Sequence, residues 1–414
     1  MREPVINYFK QKSLEFNTKK VENVNEYKHF LKFLFHKTTV QPIKPPKGIV
    51  WDWLKLNLSA EKYLSIYQNL TWSKANFSET ESFKTGKRSV AKVYARVGLL
   101  GNPSDGFFGK TLSMLISNFW AQVSLFPNET EDIIFLSNSL LDPTKFSSIH
   151  GISGVVNKDG YSGALILFFA MTKIFTNYCK NNSISLKKCG FKVIYETNIP
   201  RQVGLAGSSA LIIAFLKALL KFYEIDDSVI PLHVQANLAL NAEKLELSIS
   251  SGHQDRVIQT YGGVVYMDFR ESLMKERGWG EYEKLEDNVS FEVFDGLWLA
   301  YVGQPKNSGL VHNKVRSKFE NGDKEVIAAM EEFGSFAKGG LQALKNRNRK
   351  EFALLMEKNF NLRRKIYGDD VIGERSLKMI EIGKKYGFAV KFSGSGGACI
   401  GLWKGINNMQ FVFN

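Results

Sequence analysis

Cysteine is scarce in this chain, which has three among its 414 residues: Cys179, Cys189 and Cys399. None of them belongs to a Cys-x-x-Cys pair, so the sequence indicates neither a disulfide framework nor a zinc site. A reducing compartment fits this usage best.

Long apolar runs are also missing. The most apolar stretches, 164–171 and 210–216, are far shorter than the roughly 20 residues that a membrane-spanning helix needs. The first residues, MREPVINYFKQK, contain no apolar core that could act as a secretion signal. We therefore expect a cytoplasmic protein without a membrane partner.

The charge is strongly positive, at +14 from 55 basic and 41 acidic residues. A field of this sign favours anionic partners. The basic residues are dispersed as singles and short groups, such as Lys19-Lys20, with no long basic block. Dispersed charge is typical of a solvated surface, so nucleic acid is not the expected partner.

The chain divides by composition. Residues 1–88 are polar, rich in lysine and asparagine, and predict a helical extension. From about residue 90, strand-like and helix-like segments alternate irregularly, which predicts an α+β protein of two further domains, 89–288 and 289–414. Strands are predicted at 93–100, 119–126, 132–136, 191–196, 263–268, 297–302, 389–392 and 398–403, and helices at 161–180, 208–222, 232–247, 309–320, 324–346 and 350–366.

The strongest local pattern is PRQVGLAGSSA at residues 200–210, between a predicted strand and an apolar helix. Gly204 and Gly207 allow a tight turn and close approach of a ligand. The helix that follows points free N–H groups at the loop, which is a common anion site. A plain strand-to-helix turn with a serine cap explains the loop alone equally well.

A second segment, SDGFFGKT at 104–111, nearly spells a Walker A loop, and VVYMD at 264–268 resembles a Walker B strand. However, Ser104 replaces the first glycine, and the segment does not directly follow a strand as a P-loop requires. We therefore do not expect a P-loop NTPase.

Three segments in order resemble motifs 1, 2 and 3 of the GHMP kinases: ARVGLLGNPSD at 95–105, the loop at 200–210, and KFSGSGGA at 391–398. The residues of these three segments, together with NFNLRR at 359–364, resemble those of the plant-type glucuronokinases within that family. The resemblance covers about residues 90–403. It implies a two-domain α+β fold, with a ribosomal protein S5 domain 2-like N-terminal domain and a ferredoxin-like C-terminal domain, and it implies ATP-dependent phosphorylation of D-glucuronate at its anomeric hydroxyl.

The resemblance also implies where ATP lies. The second and third glycine loops would wrap its phosphates, through Pro200, Gly204, Leu205, Ala206, Gly207, Ser208, Ser209, Gly394, Ser395, Gly396 and Gly397.

The implied metal is Mg²⁺, held by Ser208 and Glu243, which suits an ion that takes few protein ligands. From the residues alone Glu246 is no worse a choice than Glu243. Asp255 would act as general base or orient the substrate, and Arg96 would keep it ionised.

For the substrate, Asp105 matches an aspartate that binds sugar hydroxyls. A sugar carboxylate needs a cation, and arginine suits it because its planar fork donates two parallel hydrogen bonds. The candidates near the motifs are Arg201, Arg256, Arg363 and Arg364, and the hypothesis is that Arg363 or Arg364 binds the carboxylate.

Two alternatives remain open at this point. One is a GHMP kinase for another sugar or sugar acid, such as galacturonate or galactose. The other is a GHMP-fold binding or regulatory protein without turnover. The sequence predicts no oligomeric state.

Overall fold

The computed structural model describes residues 88–136, 163–249, 251–286, 289–301 and 309–404. Apart from Arg88, the predicted N-terminal extension lies outside these ranges. Within them, no helix is both long enough and apolar enough to cross a membrane.

Nine strands are found in the described ranges: β1 Ser89–Leu100, β2 Lys110–Pro127, β3 Ile133–Phe135, β4 Phe191–Thr197, β5 Val264–Asp268, β6 Glu281–Leu285, β7 Trp298–Tyr301, β8 Phe388–Phe392 and β9 Ala398–Trp403. The α-helices of the same ranges are α1 Ala164–Asn181, α2 Gly207–Tyr223, α3 Leu232–Asn241, α4 Gln254–Tyr261, α5 Glu271–Arg277, α6 Gly309–Glu320, α7 Lys324–Lys345, α8 Arg349–Tyr367, α9 Asp369–Ile372 and α10 Glu374–Lys385.

The larger sheet has six strands built around β2. β1 runs antiparallel along one side of β2, while β4 and β5 pair in succession with the two ends of its other side. β3 and β6 are the outer neighbours of β4 and β5. A register shift between Tyr94 and Ala95 bends the β1–β2 pair, as bulges do.

Helices cover both faces of this sheet at β1 and β2. α2 packs on these two strands, and so does α7, which comes from the carboxyl-terminal half of the chain. As a result every residue of β1 from Ala95 to Leu100 is buried, instead of every second one. The segment 97–100 contains no polar side chain, which follows from this burial on both faces of the strand.

The second sheet has three strands in the order β7-β9-β8, all antiparallel. All residues of β8 and β9 are buried, and α8 and α10 pack against them. The turn between β8 and β9 is therefore held by two rigid strands, and it carries the third glycine-rich segment.

The predicted α+β class is confirmed, with some differences in the elements. The predicted helix 232–247 is wrong as one α-helix, because α3 ends at Asn241 and a π-helical turn follows at Ala242–Glu246. α4, α5, α9, α10 and β6 were not predicted from sequence, because they are short or mostly polar. The Walker-like segment forms a short 3₁₀ turn, Ser104–Phe107, and then enters β2, so no helix follows it.

Candidate active site

The loop between β4 and α2 is the first component of the site. Gly204 has φ +75° and Ala206 has φ +61°, so the backbone turns sharply before the helix begins at Gly207. A methyl group on Gly204 would stand 2.6 Å from the carbonyl oxygen of Gly396. Glycine is required there because the second and third glycine loops touch through their backbones.

The first segment joins the same contact. The backbone N–H of Gly98 in β1 donates to the Ser393 carbonyl at 2.8 Å. Buried Lys391 donates from Nζ to the Gly98 carbonyl and to Asn102 Oδ1, both at 2.7 Å. The three segments that were separate in sequence therefore meet at one place.

Arg96 connects this contact to the predicted catalytic acid. Its Nε donates to Asp255 Oδ1 at 2.6 Å, and its Nη1 donates to the Gly204 carbonyl at 2.7 Å. The arginine is buried, whereas the Asp255 side chain keeps 17 % of its surface exposed. One guanidinium thus fixes the glycine loop and the acid relative to each other, and leaves part of the carboxylate open to the cleft.

Ser208 and Glu243 form a second pair. Ser208 Oγ, on the first turn of α2, donates to Glu243 Oε1 at 2.7 Å. Glu243 is fully buried in the π-helical turn, and its other oxygen accepts from Arg256 Nη2. Arg256 also donates from Nη1 to the Gly252 carbonyl at 2.9 Å.

Glu246, the alternative to Glu243, faces away from this site. It forms an ion pair with Lys173 at 2.6 Å on the surface of α1. The π-helical turn therefore separates the two glutamates, one inward and one outward, which a sequence pattern could not predict.

The Ser208–Glu243 pair is suitable for a divalent cation. Within the described ranges there is no cluster of three or more His, Cys, Asp or Glu side chains that could enclose a metal. One hydroxyl and one carboxylate beside a phosphate-type loop match the sparse protein ligand set of Mg²⁺, which takes its other ligands from phosphates and water.

Asp105 lies in the 3₁₀ turn after β1 and is buried. Its two carboxylate oxygens accept from the backbone N–H and the side-chain Nε2 of Gln254, at 3.1 and 3.2 Å. Burial, and secondly the nearby Asp255 charge, raise the pKa of Asp105 to about 6. Gln254 directly precedes Asp255 and was assigned no role from sequence.

Arg363 and Arg364 lie at different places, as their adjacent helix positions require. Arg363 is buried and donates to the carbonyls of Gly394 and Ser395 at 2.6 and 2.9 Å, so it supports the third glycine loop. Arg364 is exposed and forms two hydrogen bonds with Asp369 at 2.6 and 2.5 Å. Both guanidinium groups have partners here, and the prediction that one of them binds a carboxylate stays a prediction.

These elements line one cleft of about 660 Å³, a size that suits small-molecule ligands. Most of the predicted site residues line it, namely Arg96, Asp105, Pro200, Gly204, Leu205, Ala206, Gly207, Ser208, Glu243, Asp255, Arg256, Gly394 and Ser395. Ser209, Gly396 and Gly397 are not part of this lining, and Ser209 Oγ donates to Gln259 Oε1 at 2.6 Å. Arg316 of α6 also lines the cleft and was missed, because nothing in the local sequence marks it.

Comparison with known proteins agrees with this geometry. Residues 168–263 match the GHMP kinases N terminal domain. The chain is 42 % identical over 309 residues to Glucuronokinase 1 of Arabidopsis thaliana. The aligned segment covers 75 % of this chain and 83 % of that protein. Among solved structures, the fold resembles a galactokinase of Lactococcus lactis complexed with galactose (TM-score 0.56, 15 % identity, 81 % of this chain and 90 % of that one) and the mevalonate kinase of Methanococcus jannaschii (TM-score 0.53, 21 % identity, 77 % and 92 %).

The fold, the converging glycine loops and these relatives define a phosphotransferase that acts on an alcohol group. The chain belongs to the GHMP kinase family. The predicted GHMP kinase fold is thereby confirmed, and family membership implies the use of ATP.

Proposed function

We propose that this chain is an ATP- and Mg²⁺-dependent kinase that phosphorylates D-glucuronate at its anomeric hydroxyl, giving glucuronate 1-phosphate and ADP. The observation that carries the proposal is the open carboxylate of Asp255, held by Arg96 against the glycine loop in a chain 42 % identical to Glucuronokinase 1 of Arabidopsis thaliana. An acid at this position lies between a phosphate site and the rest of the cleft.

The triphosphate would lie along the loop before α2. The first N–H groups of a helix have no intrahelical acceptors, and the helix dipole adds positive potential at the same end. Gly394 and Ser395 of the third loop line the cleft beside Gly204. They would close over the phosphates from the second sheet.

Ser208 and Glu243 would hold Mg²⁺, and Arg256 would balance the remaining charge of the buried glutamate. When bound, the cation would offset the negative charge of the phosphates. Ser208 is exposed at the helix start, so its hydroxyl can turn from Glu243 toward an ion.

Asp255 would accept the proton of the anomeric hydroxyl as the oxygen attacks the γ-phosphorus. The new phosphorus–oxygen bond forms, the bond between the γ-phosphorus and the bridging oxygen breaks, and that oxygen leaves with ADP. Arg96 donates to Asp255 Oδ1 through Nε, which fixes the position of the carboxylate that would receive the proton.

Asp105 would bind sugar hydroxyls, next to its contacts with Gln254. A carboxylate has about four acceptor positions, so two hydrogen bonds from Gln254 leave capacity for substrate.

We further propose the domain division 1–88, 89–288 and 289–414, a cytoplasmic location, and no nucleic-acid or membrane partner. The two sheets support the division between the second and third segments, because β6 is the last strand of the larger sheet and β7 the first of the smaller one. The dispersed positive charge supports small anionic ligands.

The test is a coupled ADP-release assay of the full chain with ATP, Mg²⁺ and a panel containing glucuronate, galacturonate, galactose and glucose. We expect the highest kcat/KM with glucuronate. Asp255→Asn serves as the inactive variant, and Asp369→Asn, which alters an exposed acid outside the cleft, serves as its matched control. A higher kcat/KM with galacturonate or galactose would contradict glucuronate as the substrate. Sugar binding without ADP release would favour the alternative of a binding protein without turnover.

A further inference from the structure

A sugar carboxylate in the cleft needs a cation, because burying an unpaired charge is costly. Among the residues that the structure describes, four arginines and no lysine line the cleft: Arg96, Arg201, Arg256 and Arg316. Arg363 and Arg364 are not part of this lining, and their donors already bind the third loop and Asp369.

Two of the four arginines already have partners within the catalytic machinery. Arg96 binds Asp255 and the Gly204 carbonyl. Arg256 binds Glu243 and the Gly252 carbonyl. Recruiting either one to a substrate carboxylate would remove the counter-charge from a buried or partly buried acid of the site.

Arg201 belongs to the loop that precedes α2 and is exposed. It lies three residues before Gly204, on the side of the cleft that carries the helix N-terminus. Its charge is therefore placed to meet the phosphates of the nucleotide.

Arg316 has a different setting. It lies on α6, half-buried, with its guanidinium 5.4 Å from the centre of the Phe107 ring, in cation–π contact. Its nearest ion-pair partner in the described ranges is Glu320, at 3.9 Å, which is too long for a hydrogen bond. The guanidinium is thus oriented by an aromatic face while its carboxylate partner remains distant.

The turn that carries Asp105 brings this arginine to the sugar end of the cleft. Gly106 separates Asp105 from Phe107, and a methyl group on Gly106 would stand 3.1 Å from Arg316 Nη2. Because Gly106 has no side chain, nothing on that residue blocks a ligand that contacts Asp105 from reaching the guanidinium. Burial lowers the pKa of His253, which directly precedes Gln254, to about 4, and the nearby charges of Lys244 and then Arg316 contribute to the same shift.

We propose that Arg316 binds the carboxylate of the sugar acid and so selects a hexuronic acid over the corresponding neutral hexose. The inference rests on the proposed function, since it assigns the acid recognition of that same site. The carboxylate accepts from the guanidinium fork, while Asp105 binds ring hydroxyls beside it.

The test compares D-glucuronate with D-glucose, which differ only at carbon 6. Arg316→Met keeps an unbranched stem over Phe107 and removes the charge. We expect the KM for glucuronate to rise about 10- to 100-fold, the usual range for losing a charge-assisted hydrogen bond. The KM for ATP should stay within about twofold, and kcat/KM for glucose should not fall. Arg316→Lys keeps the charge and loses the planar fork, so its KM for glucuronate should lie between those of the wild type and Arg316→Met.

Lys318→Met is the matched control, because it removes one exposed positive charge from the same helix outside the cleft lining. Lys318→Met should leave the kinetic constants for both glucuronate and glucose unchanged. Where turnover of glucose is too slow to measure, its inhibition constant against glucuronate replaces kcat/KM. An unchanged KM for ATP in Arg316→Met shows that the variant is folded.

A glucuronate KM within twofold of wild type in Arg316→Met would overturn the inference, as would a larger effect in Arg201→Met. These results are distinct from failure of the proposed function. If the wild-type chain phosphorylates a neutral sugar and no hexuronic acid, the substrate proposal fails and the Arg316 assignment falls with it.

Discussion

The buried ion pair between Glu243 and Arg256 gives a prediction with a defined sign. Glu243 is fully buried and Arg256 nearly so, and Arg256 Nε has no hydrogen-bond partner among the residues that the structure describes. Among the described residues, Glu243 is the one carboxylate within hydrogen-bond distance of Arg256, so Glu243→Gln leaves the buried guanidinium with only the more distant Asp255 Oδ2, at 3.8 Å, as an ion-pair partner. Arg256→Met leaves the opposite charge, with Ser208 Oγ as its remaining donor.

Breaking a buried pair from one side costs about 3–5 kcal/mol, whereas replacing both partners by neutral groups is often close to neutral. Each single variant should therefore lose about 3–5 kcal/mol of unfolding free energy. For a folded body of this size, roughly 2 °C per kcal/mol gives a fall of about 6–10 °C in Tm. The double variant Glu243→Gln/Arg256→Met should be more stable than either single one.

The assay is thermal or urea unfolding without nucleotide, because a bound ligand would add its own stabilisation. Glu246→Gln is the matched control, because Glu246 lies in the same π-helical turn as Glu243. It breaks the surface ion pair with Lys173 of α1 and should lower the unfolding free energy by at most about 1 kcal/mol. The double variant should recover stability but not kinase activity, since Glu243 is proposed to hold Mg²⁺. Additive losses in the double variant would refute the reasoning, because they would mean that the two charges do not depend on each other.

Three further predictions concern the cleft. Asp255→Asn should lower kcat roughly 100-fold while ATP binding persists, because a positioned base is lost; near-normal turnover would make Asp255 a structural residue. The KM for the sugar should fall as pH rises through about 6, where Asp105 ionises, and this dependence should vanish in Asp105→Asn. Because that pKa lies above the ordinary aspartate value of 3.8, the same group should lower stability as pH rises from about 4 to 6, by up to about 3 kcal/mol. A sugar KM independent of pH would contradict the role of Asp105. Gly204→Ala should raise the KM for ATP, since its methyl group would strike the Gly396 carbonyl. Gly278→Ala is the control, because Gly278 has a similar positive φ and nothing within 4 Å, so this variant should lose stability without a change in KM. Equal KM values for ATP in the two variants would contradict a role of the Gly204–Gly396 contact in ATP binding.

The parts of the fold that sequence predicted are those with a strong local signal. β1 is an apolar run that ends at the Gly101 turn, and it begins four residues before its predicted start. α2 is an apolar run that follows the Gly204 loop, and it extends one residue beyond each predicted end. β6 was missed because it is an edge strand of mostly polar residues with little periodicity, and its pairing with β5 depends on that neighbour and not on its own composition. α5 was missed because it is a seven-residue, mostly polar helix with no buried residue.

The site divides in the same way. The glycine loops could be located because close backbone contact demands glycine, as at Gly204. Lys391 and Gln254 could not be assigned, since their hydrogen bonds reach residues 293 and 149 positions away. Arg316 is visible only once α6 is placed beside the turn at Phe107.

The central claim is tested most directly by identifying the product of ATP, Mg²⁺ and D-glucuronate with the purified full chain. Proton and phosphorus NMR of the product should show the anomeric proton coupled to phosphorus, together with loss of the reducing end and one ADP per sugar phosphate. A product that still interconverts between two anomers, with phosphate on another hydroxyl, would contradict the account, and so would ADP release that does not depend on glucuronate.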